Sequence, residues 1–186
     1  RDLLDASGVE FEQDPEDSYR ALVANVRRIL SDTGIDPEDI AALSLDAATH
    51  TAVLLDEKDR VVRPAIYWTD SRASEQAARL KNEYGEEIIR LCYNSVSSLW
   101  TLPQLVWLKE NEPEALQKTR RLMAVKDYVR FRLTGDYLTD SIEAMGFMLL
   151  DVKKSEWSPL LCSLAGIDER LLPPIVDSMA RVSPLT

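Results

Sequence analysis

The stretch IAALSLDAATHTAVLLDEKDRVVRPAIYWTDSR, residues 40–72, decides the fold class. An apolar run from Ile40 to Leu45 enters a small polar corner, Asp46-Ala47-Ala48-Thr49-His50, and a second apolar run, Thr51 to Leu55, leaves it. A charged turn, Asp56-Glu57-Lys58-Asp59, returns the chain into Val61-Val62, and Pro64-Ala65-Ile66 leads to Trp68-Thr69-Asp70. This pattern predicts strands at about 40–46, 50–56 and 60–67, the last two joined as an antiparallel hairpin. Ile40–Leu45 is apolar at alternate and intervening positions alike, as in a strand covered on both faces.

Outward from that stretch the pattern is helical. Asp14 can cap a helix whose first position suits Pro15, with Glu16 and Asp17 at its positive end. Tyr19, Leu22, Val23, Val26, Ile29 and Leu30 follow at helical spacing, and Gly34 stops the run. Before it, Arg1–Gln13 reads as polar and irregular, with Gly8 as a breaker. After it, a helix begins near Ser71 with Thr69 or Asp70 as cap and is interrupted at Gly85. Another starts at Thr101 as cap, with Gln104 at the capping-box position and Leu102, Leu105, Val106 and Leu108 inward. A short helix at 114–118, a strand at 121–125, a helix at 126–134 stopped by Gly135, a strand at 146–152 and a helix at 158–165 stopped by Gly166 complete the reading. Helices alternating with strands predict one α/β domain with a helical portion at about 71–119 between strands.

Composition narrows the function classes. The chain has 186 residues, 45% hydrophobic and 29% charged, with a net charge of −10. That balance suits a soluble domain and argues against a nucleic-acid surface, which needs a basic face or stripe. It also gives an anionic membrane nothing to attract, and no run approaches transmembrane length. Cys92 and Cys162 lack Cys-x-x-Cys spacing, which argues against a zinc site or a disulfide framework and fits a cytoplasmic location. There is no Walker-type loop, no Gly-x-Gly-x-x-Gly and no Gly-x-Ser-x-Gly elbow.

Two groups of residues stand out as ligand-binding. His50 is the single histidine. A lone histidine beside a strand is more often structural, but this one follows small residues at a strand junction, where ligands approach α/β sheets. No second histidine or thiolate pair accompanies it, so it is not read as a metal ligand. Trp68 and Asp70 offer an aromatic face for sugar C–H groups and a carboxylate for hydroxyls; they fit equally a core tryptophan and a helix-capping aspartate. Trp100, after a polar loop, can reach the same pocket, whereas Trp107 reads as core.

Several stretches together resemble the N-terminal half of the FGGY carbohydrate kinases, the family that includes xylulokinase, gluconokinase, ribulokinase and glycerol kinase. They are residues 12–16, the Ser44–Asp56 corner, Arg63–Arg72, Trp100–Asn111, Val125–Tyr128, Arg132–Gly135 and Thr139-Asp140, in the family's order. The resemblance implies a ribonuclease-H-like domain of the actin and hexokinase type, a mixed sheet with flanking helices. It implies transfer of the ATP γ-phosphoryl group, with Mg²⁺, to a hydroxyl of a ketose, polyol or aldonate. By motif, Thr49 and His50 match the family's sugar-contacting pair, Trp68 the aromatic of the polyol site, and Asp70 the Trp-x-Asp element beside it. Gln104 stands where the family usually has Lys.

The same resemblance places the Asp-x-Gly-Thr phosphate hairpin before residue 1, and the catalytic base and the second, ATP-binding domain beyond Thr186. Residue 1 is Arg rather than Met. The expectation is therefore a sugar-binding piece of a longer enzyme, inactive alone, holding neither ATP nor Mg²⁺ firmly, with a small sugar as partner. Homodimerisation of the full-length protein is left open. The competing expectation is a non-catalytic domain of the same fold that binds a metabolite or a protein.

Overall fold

The computed structural model describes residues 2–4 and 10–185. Its centre is an antiparallel pair, β3 (Ala52–Leu55) against β5 (Arg121–Ala124), with Ala52 opposite Ala124 and Leu55 opposite Arg121. Strand alternation sends Ala52 and Leu54, with Leu122 and Ala124, into one apolar cluster, while Val53 and Leu55, with Met123, enter another. The pair is thus covered on both faces, which explains why Thr51–Leu55 carries no alternating polar residue.

The charged turn forms as expected. Asp56 N–H donates to Arg60 O at 2.9 Å, and the Asp56 carboxylate accepts from Lys58 N and Arg60 N. The side-chain hydrogen bond from Arg60 comes first among the causes that hold the Asp56 carboxyl down at about 2. The hairpin behind it is short: one bridge, Leu55 to Val61, and one bond, Val62 N to Leu54 O, precede Arg63-Pro64. Pro64 has no N–H to continue a ladder. The chain turns away, and only β4 (Ala65–Ile66) is strand, paired with β2 (Phe11–Gln13), which in turn pairs with β1 (Asp2–Leu4). The expected irregular N-terminus is therefore corrected at 2–4 and 11–13; Gly8 lies outside the described residues.

The strand expected at 40–46 does not form. Pro37–Asp39 is a 3-10 turn capped by Asp36, and residues 40–49 follow without regular structure. Ile40 and Leu43 are 49% and 44% exposed. Among the described residues no strand pairs with this run, and apolar residues cannot hold an extended segment without a ladder or cover.

The helices match the capping signals more closely. In α1 (Pro15–Thr33), Asp14 accepts from Glu16 N at 3.0 Å, and Gly34 ends it at φ 68°. Its apolar face is only half-buried and Ile29 is exposed. It lies against α5 (Val125–Thr134), where Glu16 takes both Tyr128 and Arg132. Between β4 and β5 the regular elements are all helices: α2 (Ser74–Cys92), α3 (Thr101–Asn111) and α4 (Pro113–Lys118). α2 runs unbroken through Gly85, contrary to expectation. A Cβ there would meet only Lys81 Cγ at 3.7 Å, and Leu80 and Ile88, buried on either side, hold the turns together against a glycine penalty of about 1 kcal/mol. Beyond α5 come β6 (Thr139–Asp140), α6 (Ser141–Gly146), β7 (Leu150–Asp151), β8 (Glu156–Trp157), α7 (Pro159–Ala165) and β9 (Ile175–Val176). The β6–β9 pair is the parallel one among the described strands. No described helix is long and apolar enough to cross a membrane.

Candidate functional site

The polar corner survives although the strand before it does not. His50 takes a left-handed backbone, φ 61°, a conformation disfavoured for L residues by roughly 1 kcal/mol. Four contacts hold it. Its ring Nδ1 lies 3.0 Å from Gly146 O, and its carbonyl accepts from Thr101 Oγ1 at 3.3 Å. Its ring meets Trp100 edge-on, centroids 4.3 Å apart at 70°. Thr51 carries the chain on into β3, its carbonyl accepting from Val125 N at 3.0 Å. Trp100 is oriented in turn by its indole N–H, which donates to Ser95 O at 3.0 Å.

The neighbouring Thr49 hydroxyl donates to Glu143 Oε1 at 2.9 Å. Glu143 and Gly146 both belong to α6, so one short helix grips both corner residues. Asp140 caps that helix, accepting from Ile142 N and Glu143 N. The approach needs Gly146: a Cβ there would stand 2.5 Å from Thr49 Oγ1 and 2.6 Å from His50 Nδ1.

These contacts define the protonation pattern. A carbonyl only accepts, so Nδ1 carries the imidazole hydrogen and Nε2 is a bare acceptor. Burial holds the His50 pKa below its usual value, against the pull of the Gly146 carbonyl. Burial pushes Glu143 up to about 7, against the Thr49 hydrogen bond. Lys126 sits nearby, but its ammonium is shared by Asp127 and Asp140 at 2.7 Å each. Asp127 also takes Arg130 and the Thr139 hydroxyl. Among the described residues no cation forms an ion pair with Glu143.

Of the expected binding residues, the structure brings Thr49, His50 and Trp100 into contact. Trp68 is 39% exposed, and its ring neighbour is Tyr67 rather than the corner. Asp70 requires a correction. Its side chain is fully buried, and both oxygens are engaged by Arg72, one of them also taking Phe11 N at 2.6 Å. It locks the β2–β4 edge to the start of α2 and has no oxygen free for a hydroxyl; neither it nor Thr69 caps the helix, whose cap position is Ala73. Thr101 and Gln104 are likewise not a capping box. Thr101 is the first helical residue, its hydroxyl turned to His50 O, and Gln104 is buried with Nε2 unpartnered. Trp107 is half-buried under the Arg72 guanidinium at 5.0 Å.

Glu143 and Gly146 carry no individual signal in the sequence. Asp140-x-x-Glu143 has the form of a helix-start motif, and that reading accounts for it without any site. Nothing local says that these residues meet a corner more than ninety positions earlier.

The chain matches the FGGY family of carbohydrate kinases, N-terminal domain, over residues 6–186. It is 36% identical over 167 residues to the xylulose kinase of Bacillus subtilis (strain 168), covering 90% of this chain and 34% of the relative. Among solved structures it resembles a xyloylose kinase from Brucella ovis, with a TM-score of 0.90 at 30% identity, covering 95% of this chain and 37% of that one. It also resembles a gluconate kinase from Lactobacillus acidophilus, with a TM-score of 0.89 at 27% identity, covering 99% and 37%. The chain therefore spans about a third of the length of the curated relatives it matches.

Proposed function

Because the chain belongs to the FGGY family of carbohydrate kinases, within their N-terminal domain, we propose that it is the sugar-binding part of an ATP-dependent kinase. Its substrate would be a ketose, polyol or aldonate, phosphorylated on a hydroxyl group, and its fold of the ribonuclease-H-like, actin and hexokinase type. The observation that carries this reading is the Thr49–His50 corner: a strained backbone, held from three sides, presenting an imidazole acceptor beside an aromatic ring. Backbone strain persists where surrounding contacts over-determine it, and such places are commonly binding sites. A sugar needs hydrogen-bond acceptors for its hydroxyls and an apolar face for its C–H groups. His50 Nε2 and Trp100 supply these together.

ATP and Mg²⁺ belong to the proposed reaction and supply the phosphoryl group and its charge neutralisation. In this reading neither is held firmly by this chain. What this chain contributes is binding, orientation and partial exclusion of water.

Calorimetric titration with D-xylulose, xylitol and D-gluconate tests the proposal. The chain should bind at least one of them. His50→Ala should abolish that binding, and Trp100→Ala should weaken it. Unchanged affinity in His50→Ala rejects the corner as the site.

A further inference from the structure

The polarity of the corner follows from where its two hydrogens already go. His50 Nδ1–H donates to Gly146 O at 3.0 Å, which leaves Nε2 as a lone pair without a partner among the described residues. The Thr49 hydroxyl has one hydrogen, and it goes to Glu143 Oε1 at 2.9 Å. Thr49 Oγ1, which also lies 3.4 Å from His50 Nδ1, therefore has no hydrogen left to offer a ligand. Two adjacent acceptors without a donor are complementary to ligand hydroxyl groups. They repel a carbonyl or carboxylate oxygen, which would leave lone pairs opposed and unpaired.

We propose that Glu143 is a specificity-determining residue: by taking the Thr49 hydrogen it makes the corner acceptor-only, so the site seats the hydroxyl end of a polyol chain and turns away a carboxylate end. This inference rests on the sugar-binding reading and sharpens it, because it says which end of a chain the corner seats. Polyols and the hydroxyl end of ketoses fit against Thr49 and His50; the carboxylate of an aldonate does not.

The geometry makes the polarity reversible. Glu143 is buried, and the charged groups around it are already committed. From α5, Lys126 and Asp127 pair with each other, and from β6, Asp140 pairs with Lys126 and caps α6. β9, also packed on α6, contributes Ile175 and Val176 and no titratable group. On the corner side stand His50 and Thr49. Once Glu143 holds a proton, it can itself donate to Thr49 Oγ1. The Thr49 hydrogen is then released toward the ligand, and the corner offers one donor beside one acceptor. Burial places that protonation at about 7.

The test compares xylitol with xylarate, the five-carbon chain that ends in a carboxylate at both ends and so has no hydroxymethyl end to seat, by calorimetry at pH 8 and pH 6. Xylarate stays ionised at both. Wild type should favour xylitol about tenfold at pH 8, the worth of one hydrogen bond to this site, and the ratio should narrow severalfold at pH 6. Glu143→Met removes the acceptor and frees the Thr49 hydroxyl, so its ratio should be narrow at both pH values. The proton NMR signal of the single imidazole, followed in the same samples, separates His50 protonation from that of Glu143. Wild type binding both compounds with a ratio that ignores pH, or favouring xylarate at pH 8, overturns this inference and leaves the sugar-binding reading standing. Wild type binding neither overturns both. If Glu143→Met does not fold, the wild-type ratio at the two pH values, read beside the His50 signal, decides the matter alone.

Discussion

Replacing Gly146 with alanine should do the opposite of what helix propensity dictates. Glycine-to-alanine substitution in a helix ordinarily stabilises by about 0.5–1 kcal/mol. Gly85, inside α2, is the matched control: an added Cβ would meet Lys81 Cγ at 3.7 Å, an ordinary contact, so Gly85→Ala should gain that amount. At Gly146 the new atom would stand 2.5 Å from Thr49 Oγ1 and 2.6 Å from His50 Nδ1, inside any tolerable approach. Both side chains must retreat. The Nδ1–Gly146 bond is worth about 1 kcal/mol, and the Thr49–Glu143 bond about 1.5–3 kcal/mol while the carboxylate is charged. Overpacking adds about 1–3 kcal/mol. Partial relaxation and the propensity gain offset some of this, and a net loss of roughly 2–4 kcal/mol remains. Urea denaturation followed by circular dichroism reads the difference directly. With a slope of about 2–3 kcal/mol/M for a domain of this size, the midpoint should fall by roughly 1 M in Gly146→Ala and rise by about 0.3 M in Gly85→Ala. A midpoint that rises in both variants would refute the close approach of α6 to the corner.

Three further outcomes follow from the same contacts. Glu143 is raised from its ordinary 4.5 to about 7 by burial, so below 4.5 both folded and unfolded chains hold its proton, and as pH climbs to 7 the folded state alone must keep or surrender it. Stability from this group is therefore complete at low pH and lost as pH rises through 7, by up to about 3 kcal/mol. Glu143→Gln should match wild type near pH 4.5 and exceed it at pH 8 in urea midpoint; equal midpoints at pH 8 contradict the burial of a charged carboxylate. Asp70→Ala removes the bidentate partner of the buried Arg72, whose remaining carboxylates are Glu12 at 2.8 Å and Glu10 at 3.6 Å, and leaves Phe11 N without its Asp70 acceptor. It should lose about 3–5 kcal/mol of stability yet bind sugar with near wild-type affinity in whatever fraction folds; a variant that folds well but no longer binds would return Asp70 to the site. Thr101→Val should lose about 1 kcal/mol with its hydrogen bond to His50 O, seen as a lower thermal midpoint.

The parts of the fold that were legible in the sequence share a cause. Asp14-Pro15 and Gly34, Gly135 and Gly166, and the buried set Leu102, Leu105, Val106 and Leu108 are set by neighbours within a few positions, where capping and periodicity act. Ile40–Leu45 shows the limit. Its composition suits a covered strand, but a strand exists only with a partner, and the partner is not encoded in the run itself. Gly85 failed as a helix breaker because tertiary burial of Leu80 and Ile88 outweighs a propensity of about 1 kcal/mol. The structure brings Thr49, His50 and Trp100, picked out in the sequence as residue types, into mutual contact. Asp70 misled because a carboxylate beside tryptophan looks the same in sequence whether it faces a ligand or an arginine two residues away. Glu143 and Gly146 were invisible, since their meaning comes from α6 folding back onto a corner far upstream.

The central claim is that a sugar sits at this corner, and the chain's single histidine offers a direct reading of it. The imidazole Cε1 proton of His50 gives one resonance in the whole spectrum, with no assignment needed. Titration of the chain with xylitol or D-xylulose at pH 8 should move that resonance saturably, with the tryptophan fluorescence contributed by Trp100 changing along the same isotherm. A resonance that stays fixed while calorimetry reports the sugar bound would place the ligand elsewhere and contradict the account.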